Sequence, residues 1–262
     1  PRLQRAGDQA IECARAASLE QHEQHGEAIG REEVETGMRD LVTHDPQRMH
    51  VGLEQLEGGR LGAAASNRLA DSLRDAGLRT GRLKTGTTPR VDARSVDFDR
   101  LQAQPDMEGW FSFTPPAHRL PRVQCHMANT NVKTHEIIGQ GLDRSPMYTG
   151  RIEGNGPRYC PSIEDKIVRF AHRERHVLFL EPEGLDTHRI YVNGLSTSLP
   201  RDVQHQMVRS VVGLEKAEIL QYGYAVEYDY ADPRDLDHGL QHKSIPGLYL
   251  AGQVNGTSGY EE

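Results

Sequence analysis

From residue 49 onward the apolar positions fall into short runs at helical or strand spacing, separated by glycine and proline. Leu69 and Leu73 stand four apart within 66–76, and Gly77 follows as a helix C-cap. Leu78 to Leu83 reads as a short strand, and 84–122, rich in Gly, Pro, Thr and Arg, as loop. Thr130 to Gly141 reads as a helix with Ile137 and Ile138 inward. Ser162 to Arg173 reads as another. Ser162 is its N-cap, Asp165 lies three residues on, near the capping-box spacing, and Ile163, Ile167, Val168 and Phe170 give an apolar face. His176 to Leu180 is a buried-type strand with Arg189 to Val192 as its partner. A helix over 202–211 and a strand over 217–220 follow. Tyr224 to Tyr230 alternates with period two, and Ile245 to Gly252 is a short apolar strand running into glycine. Strands alternating with helices argue for an α/β class. Residues 1–49 have a weaker texture. Ile11, Ala14, Ala17 and Leu19 line one helical face, and Ile29, Val34, Met38, Leu41 and Val42 a second, so a helical or partly disordered extension is expected.

Charge changes the picture in one respect. Lys and Arg number 31 against 38 Asp and Glu, a net charge of −7, so any nucleic-acid surface must be a local patch. No apolar run reaches the roughly 18 residues of a membrane span, and no signal-peptide pattern opens the chain. Cys13, Cys125 and Cys160 are odd in number and far apart. They suggest neither a disulfide framework nor a CxxC metal pattern, and a reducing cytoplasmic setting fits.

The densest chemistry lies in Gly154 to Lys166. Gly154 and Gly156 permit tight turning, and Cys160 falls just ahead of a helix N-terminus. There the helix dipole favours the thiolate, the nucleophilic form. The same cysteine also reads as a small buried hydrophobe. Lys166, Arg169 and Arg173 share one helical face, which is either a phosphate patch or a solvated surface. Gly252 to Gly256 follows a strand, and its backbone N–H groups suit a phosphate or a flavin edge. The chain stops where the next helix would begin. No GxGxxG occurs, and Gly58-Gly59-Arg60-Leu61-Gly62 has the wrong spacing. Lys84 to Arg90 lacks the order of a phosphate loop, which argues against an NTPase. His22 and His25 miss the HExxH zinc spacing, and no GxSxG marks a serine hydrolase.

Several long stretches carry a resemblance. Gly81 to Arg90, Asn131 to Ile138, Leu142 to Tyr148, Gly156 to Phe170, Phe179 to Leu185, Asn193 to Pro200 and Ala251 to Glu262 occur in the order and with the residues of the MnmG (GidA) family. From about residue 50 to 262 the chain resembles these FAD-dependent tRNA-modifying proteins, which work with the GTPase MnmE. The resemblance implies a partial Rossmann-type FAD-binding domain, over 50–81 and 182–262, interrupted by an inserted NAD(H)-binding α/β domain over 82–181. Residues 1–49 would be an unmatched extension. The implied chemistry is addition of a carboxymethylaminomethyl or aminomethyl group at C5 of the wobble uridine. FAD and NADH would be the cofactors and methylenetetrahydrofolate the one-carbon donor. The implied partners are tRNA and an MnmE-like GTPase, with room for a homodimer and no membrane. Cys160 matches a cysteine held to be catalytic. Gly156, Pro157, Arg158, Tyr159, Ser162, Glu164, Asp165, Lys166, Arg169 and Phe170 match the nicotinamide-nucleotide segment. Gly252, Gln253, Asn255 and Gly256 match the FAD contact, and no metal is implied. Departures stand beside these. The family's N-terminal GxGxxG, its second functional cysteine and its C-terminal helical region have no counterpart. Glu57 stands where the family usually has serine, and a carboxylate there disfavours a flavin phosphate or an anionic reduced flavin. The chain therefore reads as an incomplete member, the alternative being a non-catalytic nucleotide- or tRNA-binding remnant.

Overall fold

The computed structural model describes residues 46–65, 67–105, 113, 121, 123–152 and 161–256. Cys13, the helices expected before residue 43, and Gly156, Pro157, Arg158, Tyr159 and Cys160 lie outside the described residues.

The chain builds two antiparallel sheets. The first holds β1 (Pro46–Val51), β2 (Glu54–Glu57), β3 (Thr80–Gly86) and β10 (Ala225–Ala231), in the order β2-β1-β10-β3. The second holds β4 (Arg90–Asp92), β5 (Gln102–Ala103), β6 (His126–Asn129), β7 (Val177–Pro182), β8 (Arg189–Asn193) and β9 (Ile219–Gln221), in the order β5-β6-β7-β8-β4-β9. Every pairing between these strands is antiparallel, so the mixed α/β class holds but the expected alternation does not generate parallel βαβ units here. β1 and β2 form a hairpin turned at Gly52, whose φ of +54 suits glycine. Residues 46–49, placed in the extension by sequence, form the first part of β1. The chain passes between the sheets at 87–89 and again at 222–224, where Thr87 N–H donates to Tyr224 O at 2.8 Å.

Local signals account for the helix ends. α1 (Asn67–Asp75) closes in a Schellman motif: Gly77, at φ +85, donates to Arg74 O, and Leu78 N–H reaches Leu73 O. Leu78 packs in a cluster with Leu73, the apolar contact that accompanies this motif. α2 (Val132–Gly141) opens on a capping box between Asn131 and Thr134. α3 (Ile163–Arg169) is capped by Ser162, and α4 (Arg201–Arg209) follows Pro200. Leu178, Leu180, Ile190 and Val192 from the six-stranded sheet bury against Ile138, Ile163, Val203, Met207 and Val208 from the helices. Fully burying one such side chain contributes about 1.5–3 kcal/mol, so this layer is the main core.

Two sequence expectations change. Tyr224 to Tyr230 forms β10, but Val226, Glu227 and Tyr228 are all buried, because both faces of this central strand are covered. Ile245 to Ala251 is not a strand. It makes only an isolated bridge, Gln241 to Tyr249, and Pro246 with Gly247 at φ +85 turns the chain away from a ladder.

Candidate functional site

The loop from Asn193 to Pro200 is where several of the stretches that carry the resemblance meet. Gly194 takes φ +93, and a Cβ there would lie 2.9 Å from Val177 O, so the turn after β8 requires glycine. Beyond it Leu195, Thr197, Ser198 and Leu199 are completely buried. Their backbone ties four segments together. Ile163 N–H donates to Ser196 O at 2.7 Å, and Thr197 N–H to Thr87 O at 3.1 Å. Gly52 N–H donates to Ser198 O at 2.6 Å, and the Ser145 and Ser198 hydroxyls lie 3.3 Å apart. Buried Gln204 closes the knot, with Nε2 donating to Leu199 O and Gly223 O and Oε1 accepting from Gly223 N–H.

α3 enters this knot at its N-terminus. Ser162 Oγ accepts from Asp165 N–H at 3.2 Å, as the sequence spacing predicts. Glu164 is wholly buried. Its Oε1 accepts from the Thr197 hydroxyl at 2.9 Å and from Ser198 N–H at 3.1 Å, while Oε2 has no partner among the described residues. Burial pushes its carboxyl up from the ordinary value. Asp165 accepts from the Tyr148 hydroxyl at 3.1 Å, and burial followed by that acidic neighbour pushes the phenol up. Lys166 Nζ donates to Gly194 O at 3.0 Å.

The basic face read from sequence does not form as expected. α3 stops at Arg169, so Arg173 lies beyond it, in the turn that leads to β7. Ile163 and Ile167 join the core, but Val168 and Phe170 are exposed at 49% and 42%. Arg173 instead lies over the Phe170 ring, 5.4 Å from its centre.

Across the seam lies a face of the four-stranded sheet that sequence reading missed. Register places Arg48, Glu227 and Lys84 side by side, with His50 one step away and Asp229 opposite Arg82. His50 Nε2 lies 3.3 Å from Glu227 Oε2, and both side chains are nearly solvent-free. Arg82 lies 3.7 Å from Glu227 and 3.0 Å from Asp229, which also pairs with Arg74 at 2.6 Å. Residues 147–151 reach this face. Lys84 Nζ donates to Met147 O at 3.4 Å, and Arg151 donates to Leu53 O at 3.1 Å. Burial is the largest influence on His50 and lowers its pKa, against the opposing pull of Glu227. The one trace in the sequence was the alternation of charges in Arg82-Leu83-Lys84 and Glu227-Tyr228-Asp229.

The turn expected to hold FAD is separate. Gly252 to Asn255 forms a 3₁₀ turn, closed by Gly256 at φ +77. Gln253 is buried, and Asn255 Nδ2 lies 3.5 Å from Leu250 O. Gly256 rests on Tyr230, five residues along β10 from Ala225 at the seam, or about 17 Å at strand rise. Thus Ser162, Glu164, Asp165 and Lys166 converge, Arg169 and Phe170 face outward, and Gly252, Gln253, Asn255 and Gly256 form a second locus. No metal-holding cluster occurs among the described residues, and Cys125 there is a free thiol whose pKa burial raises.

The chain matches the family model described as glucose inhibited division protein A over residues 40–262. It is similar to the solved structure of Aquifex aeolicus GidA in its form I crystal, at 45% identity and a TM-score of 0.72, covering 82% of this chain and 37% of that one. The form II crystal of the same protein gives 43% identity and a TM-score of 0.70, covering 82% and 35%. The chain thus corresponds to little more than a third of the length of these solved relatives. The family match begins at residue 40, about ten residues ahead of the boundary read from the sequence.

Proposed function

The chain belongs to the glucose inhibited division protein A family, and from that premise we propose that it is part of an FAD- and NADH-dependent tRNA-modifying enzyme. Its reaction installs a (carboxymethyl)aminomethyl group at C5 of the wobble uridine, in the cytoplasm and together with an MnmE-like GTPase. What carries the reading is 45% identity across 82% of the chain. Among the described residues no helix is long and apolar enough to cross a membrane.

The residues present fit the cofactors unevenly. At Gly252, φ is +81 and the position a Cβ would take is open, so an FAD edge can approach the backbone, with Gln253 and Asn255 beside it. Ser162 and Lys166 are engaged internally, as cap and as donor to Gly194, which suits support rather than direct contact with NADH. Among the described residues, Glu164 keeps one buried oxygen without a partner. When bound, FAD reduced by NADH supplies the redox chemistry. The chain's own contributions in this proposal are the Cys160 nucleophile and the buried seam that fixes the helix after it. An NAD(H)-binding insertion fits the six-stranded sheet, between the passages at 87–89 and 222–224, better than the limits 82 and 181, which fall inside β3 and β7.

The test is the absorbance spectrum of the purified chain after incubation with FAD and desalting, followed by NADH oxidation and tRNA modification with Cys160→Ser. Retained flavin, NADH oxidation that survives the substitution and tRNA modification that does not are the expected results. A colourless chain that still shifts tRNA would replace this reading with the binding remnant.

A further inference from the structure

Beyond the core-facing part of α3 the chain makes an exposed, basic turn. Every residue from 168 to 175 is exposed. The stretch reads Val168-Arg169-Phe170-Ala171-His172-Arg173-Glu174-Arg175, three arginines against one carboxylate in a chain whose net charge is −7. Arginines elsewhere hold carboxylates, as Arg79, Arg90, Arg144 and Arg189 do. Arg169, Arg173 and Arg175 hold none among the described residues, although Glu174 lies between two of them in sequence.

Phe170 keeps 42% of its surface in water at the centre of this turn. The Arg173 guanidinium lies over its ring, 5.4 Å from the centre, and the His172 ring meets it edge-on, with centres 6.4 Å apart. The backbone fixes the turn at both ends. Phe170 N–H donates to Lys166 O at 2.9 Å, and Arg173 N–H donates to Phe170 O at 2.9 Å. At the far end His176 is buried, with its N–H donating to the Thr130 hydroxyl at 2.8 Å and its carbonyl accepting from Thr130 N–H at 3.0 Å. A loop held in this way loses little freedom when it takes a ligand.

Screening an exposed ring from water takes one long cationic side chain, and Arg173 supplies it. Arg169 and Arg175 have neither a ring nor a carboxylate among the described residues and stay open to an anion. A dinucleotide offers a single pyrophosphate. Single-stranded RNA offers a phosphate at every residue and an unpaired base that can lie on an aromatic or guanidinium plane.

We propose that the turn from Arg169 to Arg175 is a docking platform for single-stranded RNA, in which an unpaired base stacks on Phe170 and Arg173 while Arg169 and Arg175 hold adjoining phosphates. The choice of RNA rests on the tRNA-modifying reading above. The platform holds the substrate and takes no part in the chemistry.

Fluorescence anisotropy of the intact chain with a fluorescein-labelled oligouridine, over a series of salt concentrations, separates the two kinds of contact. Phe170→Ala should weaken binding about tenfold, within the range for loss of one base–aromatic stack, and leave the salt dependence unchanged. Arg169→Gln and Arg175→Gln should each weaken binding and lower the slope of log affinity against log salt by about 0.7, the counterions of one single-strand phosphate. Phe170→Trp should bind as wild type does, and Glu174→Gln should bind more tightly. A duplex RNA of the same length, whose bases are already stacked, should not respond to Phe170→Ala. Thermal unfolding should be unchanged in each variant, because the side chains are exposed. Binding indifferent to Phe170→Ala, a duplex that responds as strongly as the single strand, displacement of the RNA by excess NADH, or a marked loss of thermal stability in Phe170→Ala overturns the platform. A wild type that binds a tRNA transcript but not the oligouridine overturns the platform and leaves the tRNA reading standing. A wild type that binds neither overturns both.

Discussion

Replacing Glu164 with glutamine should stabilise this protein at neutral pH and do almost nothing in acid. Glu164 is fully buried, takes two hydrogen bonds on Oε1, has no cationic partner among the described residues, and has its carboxyl pushed up by burial. The folded state therefore holds a proton that the unfolded chain, with an ordinary carboxyl near 4.5, releases. Between those two values the folded state binds more protons, so stability falls as pH rises, by about 1.4 kcal/mol per unit. The loss accumulates with each unit above the ordinary carboxylate value until the raised folded value is reached. Glutamine keeps an oxygen for the Thr197 hydroxyl and the Ser198 N–H but has no proton to lose. The variant and the wild type should then agree within about 0.5 kcal/mol at pH 4 and diverge steadily above it, the variant being the more stable. Glu164→Ala, which strands both donors, should lose about 2–4 kcal/mol throughout. Urea unfolding at pH 4, 5.5 and 7 measures all three. Taking differences between variants cancels the histidines and other carboxylates that titrate in the same range. A glutamine variant that is less stable than wild type at pH 7 would mean that the carboxylate is ionised and paired, and the account of this knot would be wrong.

Gln204→Leu should lower the urea midpoint by the equivalent of about 4 kcal/mol, because it leaves the carbonyls of Leu199 and Gly223 and the Gly223 N–H buried and unbonded. Gly256→Ala should cost more than Gly247→Ala in thermal unfolding. Both sit at positive φ, but only at 256 would the methyl carbon meet the Tyr230 ring, at 2.8 Å, whereas nothing lies within 4 Å at 247. Strain alone is about 1 kcal/mol, and the clash should add at least as much again. Asp92→Asn should blunt acid unfolding. The Arg94 hydrogen bonds hold the Asp92 carboxyl at about 2, so its contribution is complete above the ordinary carboxylate range and fades as pH falls toward that value. In acid titrations the variant should therefore be less stable than wild type by a constant margin above the ordinary carboxylate range, and the two should converge as pH falls through it.

Where the sequence was readable, the controlling interactions were local. The Schellman ending at Gly77, the capping box at Asn131 and the Ser162 cap each depend on residues within five positions of one another. Reading failed where the deciding partner was distant. Val168 and Phe170 carry the right hydrophobicity for an inward face, but α3 contributes only Ile163 and Ile167 before the chain turns toward β7. Leu248 to Ala251 has the apolar run of a strand, yet Gly247 and Gly252, both at positive φ, bracket it and no strand lies alongside among the described residues. The stretch from Gly156 to Phe170 was legible as a motif. Its dependence on Thr197, Ser198 and Thr87 was not, because those contacts span tens of residues.

The polar sheet face marks the limit most clearly. Period two in β10 already puts Glu227 and Asp229 on one side and Tyr228 and Tyr230 on the other. The natural inference is that the charged side faces water. Register with β1 and β3 instead sets His50, Arg82 and Lys84 beside them, and the chain from Ser145 to Arg151 runs across that region. A slip of one residue between β1 and β10 would turn His50 to the side of Tyr228 and separate it from Glu227, and a slip between β3 and β10 would turn Arg82 and Lys84 away. The polar face therefore depends on two registers and on a covering segment, and no window of sequence contains all three. That dependence also yields a discriminating expectation. Substitutions that loosen the hairpin at Gly52, where a Cβ would stand 2.7 Å from the Pro200 ring, should disturb the titration of His50 before they unfold the six-stranded sheet.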